Sequence, residues 1–309
     1  MPAVAAEAFK TDGEVRPELL RPCWLNPPGV GALMSLRGGG VSRAPFDSFN
    51  LSLGVGDEAR AVQENRRRWQ QALGVPSVWL RQVHGAQVLR LTADHLHVPA
   101  TDTATDTATD TATHTATHTA THIATHTATH TAVPSRLAQE LPTADAAWTT
   151  ERGLACQVGA ADCMPVLFAL RDGSAVAAAH AGWRGLAAGV LEATVQALCR
   201  GTGAQSADLQ VWLGPHIGPR QFEVGADVLA AFGHAPDSAD TDCFVYRARA
   251  DGSPAWLANL ARLARDRLLA VGVACISQES ACTVEDPSRF FSFRRDRITG
   301  RMAAAIWRL

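Results

Sequence analysis

The sequence lacks a charge excess of either sign: 28 Lys and Arg stand against 30 Asp and Glu, a formal net charge of −2. Without a basic surplus there is no electrostatic drive towards nucleic acid or an anionic membrane. The local runs Arg66-Arg67-Arg68 and Arg294-Arg295 read as solvated faces. Long apolar runs are missing as well, and none approaches the roughly 18 residues of a membrane span. The opening MPAVAAEAFKTDGEVRPELL lacks the basic-then-apolar order of a secretory signal. The seven cysteines are odd in number and scattered, which argues against a disulfide framework. A reducing, cytoplasmic compartment fits that usage.

What is present is apolar material for a sizeable core, 47% hydrophobic against 19% charged residues. Apolar runs at Val78–Val83, Ala155–Val158, Val166–Leu170, Ala175–Ala179, Leu209–Leu213 and Met302–Leu309 predict strands. Helical spacing predicts helices over 184–200, ending at Gly201, over 255–270, ending at Gly272, and more weakly over 224–232. Strands and helices mix without a strict βαβ rhythm. The expected fold is therefore one mixed α/β (α+β) domain over 21–309, a layered sandwich behind an N-terminal tail of residues 1–20.

One segment interrupts this domain. Residues 101–132 are eight four-residue units, three of TDTA followed by five of THTA or THIA. With almost no large apolar side chain it cannot offset its ordering entropy, so a disordered low-complexity loop is expected. As a helix it would align His114, His118, His122, His126 and His130 in a metal-binding stripe, but the many β-branched threonines disfavour that conformation.

Three residues outside the repeat draw attention as chemistry. His84 lies in RQVHG, Cys163 in GAADCMP and His180 in AAAHAGWRG, each between a strand-like run and a turn. Strand ends lie side by side along a sheet edge, so the three can converge. Two imidazoles and one thiolate suit Zn²⁺, with an open fourth position as in catalytic sites. The spacing is not itself a metal signature, and buried core roles stay open. So does a Cys163 nucleophile with a histidine base, attacking an amide or ester.

Three glycine-rich turns carry arginines: LRGGGVSR with Arg37, Ser42 and Arg43, HAGWRG with Arg184, and GPHIGPR with Arg220. Backbone approaches anions closely at such turns, which together suit an anionic substrate such as phosphate.

The motifs in their order also resemble a known family. SLRGGGVSRAPFDSFNLSLGVGD, ENRRR, RQVHG, ADAAWTT, ADCMPVLF, AHAGWRG, LGPHIGP with FEVG, and FFSFRRDRITGR run from about Arg37 to Arg301. The chain resembles the YfiH-like family, variously called polyphenol oxidases or laccase-domain proteins, purine nucleoside phosphorylases and peptidoglycan editing factors. The resemblance implies a zinc site of His84, Cys163 and His180, and phosphorolysis of adenosine, methylthioadenosine and related purine nucleosides. It implies adenosine deamination as a second activity, and a sandwich fold related to cysteine hydrolases. The oxidase name implies copper, although one three-ligand site does not look like a multicopper centre. A non-catalytic role in peptidoglycan quality control is a further alternative.

In phosphorolysis Arg37 and Arg184, with Ser42, are the expected substrate-binding residues. In deamination Asp162, beside Cys163, is a candidate proton shuttle or a turn cap. The chain departs from the family at the repeat and at His216 of GPHIG, a candidate extra ligand or base that also reads as a plain turn residue.

Overall fold

A computed structural model describes residues 16–24, 27–96, 141–236 and 241–309. The repeat 101–132 lies outside the described residues. The first strands are β1 (Leu19–Leu20), β2 (Val30–Ser35), β3 (Ser77–Val78), β4 (Val88–Arg90) and β5 (Ala146–Thr149). The centre of the chain gives β6 (Ala155–Ala160), β7 (Met164–Leu170), β8 (Val176–Ala181) and β9 (Leu209–Leu213). Then follow β10 (Glu223–Val224), β11 (Phe244–Tyr246), β12 (Trp256–Ala258), β13 (Cys275–Gln278) and β14 (Met302–Arg308). The helices are α1 (Ala59–Leu73), α2 (Trp183–Ala187), α3 (Val190–Thr202), α4 (Ala226–Ala231), α5 (Leu260–Ala270) and α6 (Phe293–Asp296).

Two sheets form the middle of the molecule. One has the order β1-β2-β14-β6-β3, the other β13-β9-β7-β8-β5-β4, and β10-β12-β11 makes a small third sheet. Strand periodicity explains the layering. On β7, Leu167 and Ala169 point into the core between the two large sheets, with Met34, Val158, Ile306 and Trp212. Val166 and Phe168 point the other way, against Leu191, Val195 and Leu198 of α3 and Leu260 and Leu268 of α5. On the far side Leu33, Ala303 and Trp307 pack on Trp69 and Leu73 of α1. Each such large side chain contributes about 1.5–3 kcal/mol by its burial. The result is the mixed α/β layered sandwich expected from the sequence, with helices outside two sheets. No helix among the described residues is long and apolar enough to cross a membrane.

Several elements differ from the sequence expectation, each for a local reason. Leu19–Leu20, inside the expected tail, pair with β2. Of Val78–Val83 only Val78 enters a strand, beside Ser77. Beyond it the Gln82 side chain replaces a ladder, donating to Gly159 O at 2.9 Å and accepting from Gly159 N at 2.7 Å. The helix expected over 184–200 is two helices, because Gly189 at φ 89° sits between them. It runs past Gly201 to Gly203, where φ is 78°; Gly201 serves instead to admit the Trp148 indole, which a Cβ would overlap. Residues 256–258 are a strand, and the following helix starts only after Asn259, whose side chain accepts from Arg262 N at 3.0 Å.

Candidate metal centre and its cleft

His180 is the penultimate residue of β8, and Cys163 sits in the tight β6–β7 connection. His84 does not end a strand. It lies in an irregular segment before β4, at φ 60°. A left-handed histidine there needs support from elsewhere, and Asp145 supplies it. The fully buried Asp145 carboxylate accepts the backbone N–H groups of Val83, His84 and Gly85 at 3.2, 2.8 and 2.8 Å. It also accepts the Nδ1–H of His180 at 3.0 Å. That bond fixes the tautomer and leaves Nε2 of His180 for the site.

The three expected ligands are brought together. One donor atom from each of His84, Cys163 and His180 lies within 4.8 Å of the others. Cys163 Sγ is 3.9 Å from His84 Nε2, and the two imidazoles meet edge to face at 4.8 Å between centroids. Bond lengths of about 2.0–2.3 Å place the donors of a tetrahedral zinc roughly 3.3–3.8 Å apart, so a small contraction closes the set. Gly182 makes the approach possible: a Cβ there would stand 2.7 Å from Cys163 Sγ and 3.2 Å from His84 Cδ2. Burial pushes the Cys163 thiol up, but His180 and His84 outweigh it and bring it to about 6. Burial likewise disfavours the His180 imidazolium, while Cys163 and Asp145 raise it to about 9. Without metal the site thus pairs a Cys163 thiolate with a His180 imidazolium, and binding a metal would displace the imidazolium proton.

Cys163 opens onto a cleft of about 120 Å³ lined by Asp162, Gly182, Trp183, Ile217, Phe222, Phe293 and others. Asp162, at φ 82°, has both carboxylate oxygens engaged. Oδ1 accepts the Thr283 hydroxyl at 2.6 Å and Oδ2 the backbone N–H of Arg294 at 2.6 Å. It thereby ties the Cys163 turn to the segment that carries Phe293.

The other expected residues stand outside the three-residue donor group. Arg184 is exposed, its guanidinium 4.3 Å from the Trp183 ring centroid. Arg37 lines a separate open cleft of about 570 Å³ with Gly38, Asp47 and Ser48. Its Nη2 contacts both Asp47 oxygens at 3.1 Å. Ser42 is buried in a polar network, donating to Asp57 at 2.6 Å and accepting from Asn65 at 2.9 Å. His216 is buried with Nδ1 2.8 Å from Gly214 O, and stands outside the three-residue donor group.

Asp145 is the functional residue that motif reading passed over, although it lies inside the quoted block ADAAWTT. The available signal was a lone carboxylate within an apolar run, which must be paired if it is buried.

Fold, donor set and motif order define one class. A family model described as "Multi-copper polyphenol oxidoreductase laccase" matches residues 31–309. The chain belongs to this family, the YfiH family. It is 43% identical over 288 residues to "Purine nucleoside phosphorylase PA4543" of Pseudomonas aeruginosa, covering 93% of this chain and 97% of that protein. It is 40% identical over 292 residues to "Purine nucleoside phosphorylase YfiH" of Escherichia coli, covering 94% and 98%. Among solved structures, the Neisseria meningitidis protein NMB0706 superposes with a TM-score of 0.71 at 35% identity, covering 94% of this chain and 98% of that one.

Proposed function

We propose that this chain is a zinc-dependent purine nucleoside phosphorylase acting on adenosine, methylthioadenosine and related nucleosides, with phosphate as the second substrate. The observation that carries the reading is the convergence of His84, Cys163 and His180 beside a cleft walled by Trp183, Phe222 and Phe293. The names of the relatives from Pseudomonas aeruginosa and Escherichia coli support it. Aromatic faces suit a planar purine. A zinc ion held by the two imidazoles and the thiolate would supply Lewis acidity beside that base.

The chain's own groups do the rest. Asp145 orients His180 and holds the His84 backbone, so the donors stay preorganised. Asp162 acts as the brace of the Cys163 turn, since its oxygens are taken by Thr283 and Arg294.

The test is incubation with adenosine, with and without phosphate, followed by product identification. Adenine and ribose 1-phosphate are expected only with phosphate, and neither with His84→Ala. Inosine would report deamination; neither product would sink the reading. A second reading, hydrolysis through a Cys163 thiolate, is favoured by the thiol at about 6 lying 3.9 Å from His84. It requires activity that survives zinc removal and is lost on alkylation of Cys163.

A further inference from the structure

Phosphorolysis needs a cation that holds phosphate beside the nucleoside, and two arginines of the glycine turns are held by carboxylates. Arg37 is chelated by Asp47 and has Asp296 at 3.9 Å. Arg220 pairs with Glu285 at 2.6 Å, while Arg184, exposed, lies over the ring of Trp183.

Arg301 is placed differently. It follows Gly300, where a Cβ would stand 2.7 Å from Phe291 Cζ and 2.9 Å from Asn50 Cβ, so the turn packs close only with glycine. Its backbone N–H donates to Asn50 Oδ1 at 2.9 Å. Its Nη1 donates to the carbonyls of Thr299 and Gly300, both at 3.0 Å. One side of the guanidinium is thus fixed. Among the described residues Nε and Nη2 have no hydrogen-bond acceptor, and Arg301 has no carboxylate partner.

The guanidinium stands 5.7 Å from the centroid of the Phe293 ring, and that of Arg297 stands 5.8 Å from the same ring. Phe293 lines the cleft with Asp162 and Cys163. Burial works against the Arg301 charge, and Cys163 and Asp162 work to retain it. A half-buried arginine packed against the Phe293 ring of the cleft wall, fixed on one side and with no acceptor on Nε or Nη2 among the described residues, can receive an anion there.

We propose that Arg301, with Arg297 beside it across Phe293, is the anion subsite of this cleft and takes the inorganic phosphate that attacks the nucleoside. The inference rests on the phosphorolysis reading. In the step, a phosphate oxygen bonds to C1′ as the C1′–N9 bond breaks. The electron pair leaves with the purine, and the proton lost by hydrogen phosphate is the one the purine takes up. Arg301 holds the phosphate charge in place throughout.

The test uses the full chain and measures adenine formation at varied phosphate and varied adenosine for wild type, Arg301→Lys and Arg301→Gln. Arg301→Gln is expected to raise the phosphate KM by about tenfold or more, the loss of a charge-assisted contact, with the adenosine KM nearly unchanged. Arg301→Lys should recover part of the loss. An unchanged phosphate KM, or equal shifts in both KM values, overturns the assignment.

Thermal melting during titration with inorganic phosphate separates this from the proposed activity. If wild type makes no adenine yet phosphate raises Tm only when Arg301 is present, phosphorolysis fails and the subsite stands. If phosphate raises Tm equally in Arg301→Gln, the subsite fails. A response to adenosine 5′-monophosphate but not to inorganic phosphate overturns free phosphate as the ligand.

Discussion

Asp145 and His180 are joined twice: the His180 Nδ1–H donates to the Asp145 carboxylate at 3.0 Å, and the His180 backbone N–H donates to the Asp145 carbonyl at 2.7 Å. The same carboxylate holds the backbone around His84. One buried side chain therefore sets the orientation of one expected ligand and the main-chain course of another.

Asp145→Asn keeps the size and removes the charge. Zinc affinity, measured by competition with a chromophoric chelator, should fall about 10–100-fold, the usual cost of losing a partner behind a metal-bound histidine. Asp145→Ala leaves several N–H donors without an acceptor. It should destabilise the metal-free protein by about 3 kcal/mol or more in urea unfolding. An Asn variant with wild-type zinc affinity would contradict the role given to this carboxylate.

Acid should expose the same group. Burial raises the Asp145 carboxyl, but the His180 hydrogen bond and the N–H groups of Gly85 and Val83 outweigh it and hold it below the usual range. A depressed carboxyl contributes stability that is complete above its unfolded pKa of about 4 and is lost as pH falls through the lower folded value. The urea midpoint of metal-free protein should therefore drop below about pH 4, and Asp145→Asn should show a shallower acid limb.

Gly182→Ala tests how tightly the donors are packed. The glycine has φ −71°, which alanine adopts without strain, so any effect is steric. The added methyl would stand 2.7 Å from Cys163 Sγ. Loss of bound zinc by elemental analysis is expected, with the circular dichroism spectrum retained. Full zinc occupancy in this variant would argue against the donor set.

Cys163 should alkylate as a low-pKa thiol when metal is absent. The rate with iodoacetamide should rise through an inflection near 6, where His180 and His84 hold the thiol against its burial. Added zinc should suppress the reaction. An inflection above 8, or no protection by zinc, would count against both thiolate and metal.

Trp69→Phe provides a control away from the site. The indole N–H donates to Gln157 Oε1 at 2.9 Å across the contact between α1 and its sheet. Its loss leaves a buried acceptor unpaired, at a cost of about 1–3 kcal/mol. Zinc affinity should not change. A large loss of affinity would show that the site depends on the outer helix.

The strands β6 to β9 and β14 were legible because each is an apolar run whose alternate residues face two different cores. The helix expected over 184–200 misled because periodicity carries no sign of a left-handed break, and Gly189 supplies one. The strand expected up to Val83 failed because Gln82 satisfies Gly159 through its side chain, which apolar patterning does not register.

The site divides in the same way. The sequence by itself determined the donor types, His84, Cys163 and His180, because ligand chemistry is a property of the residue and its motif. Tertiary structure alone decided that they converge, since their distances depend on Asp145 folding the chain around its carboxylate and on the missing side chain of Gly182. It also decided which arginines have carboxylate partners. Arg37 and Arg301 look alike in the sequence, but only folding gives one a carboxylate partner and leaves the other facing the charges of Cys163 and Asp162.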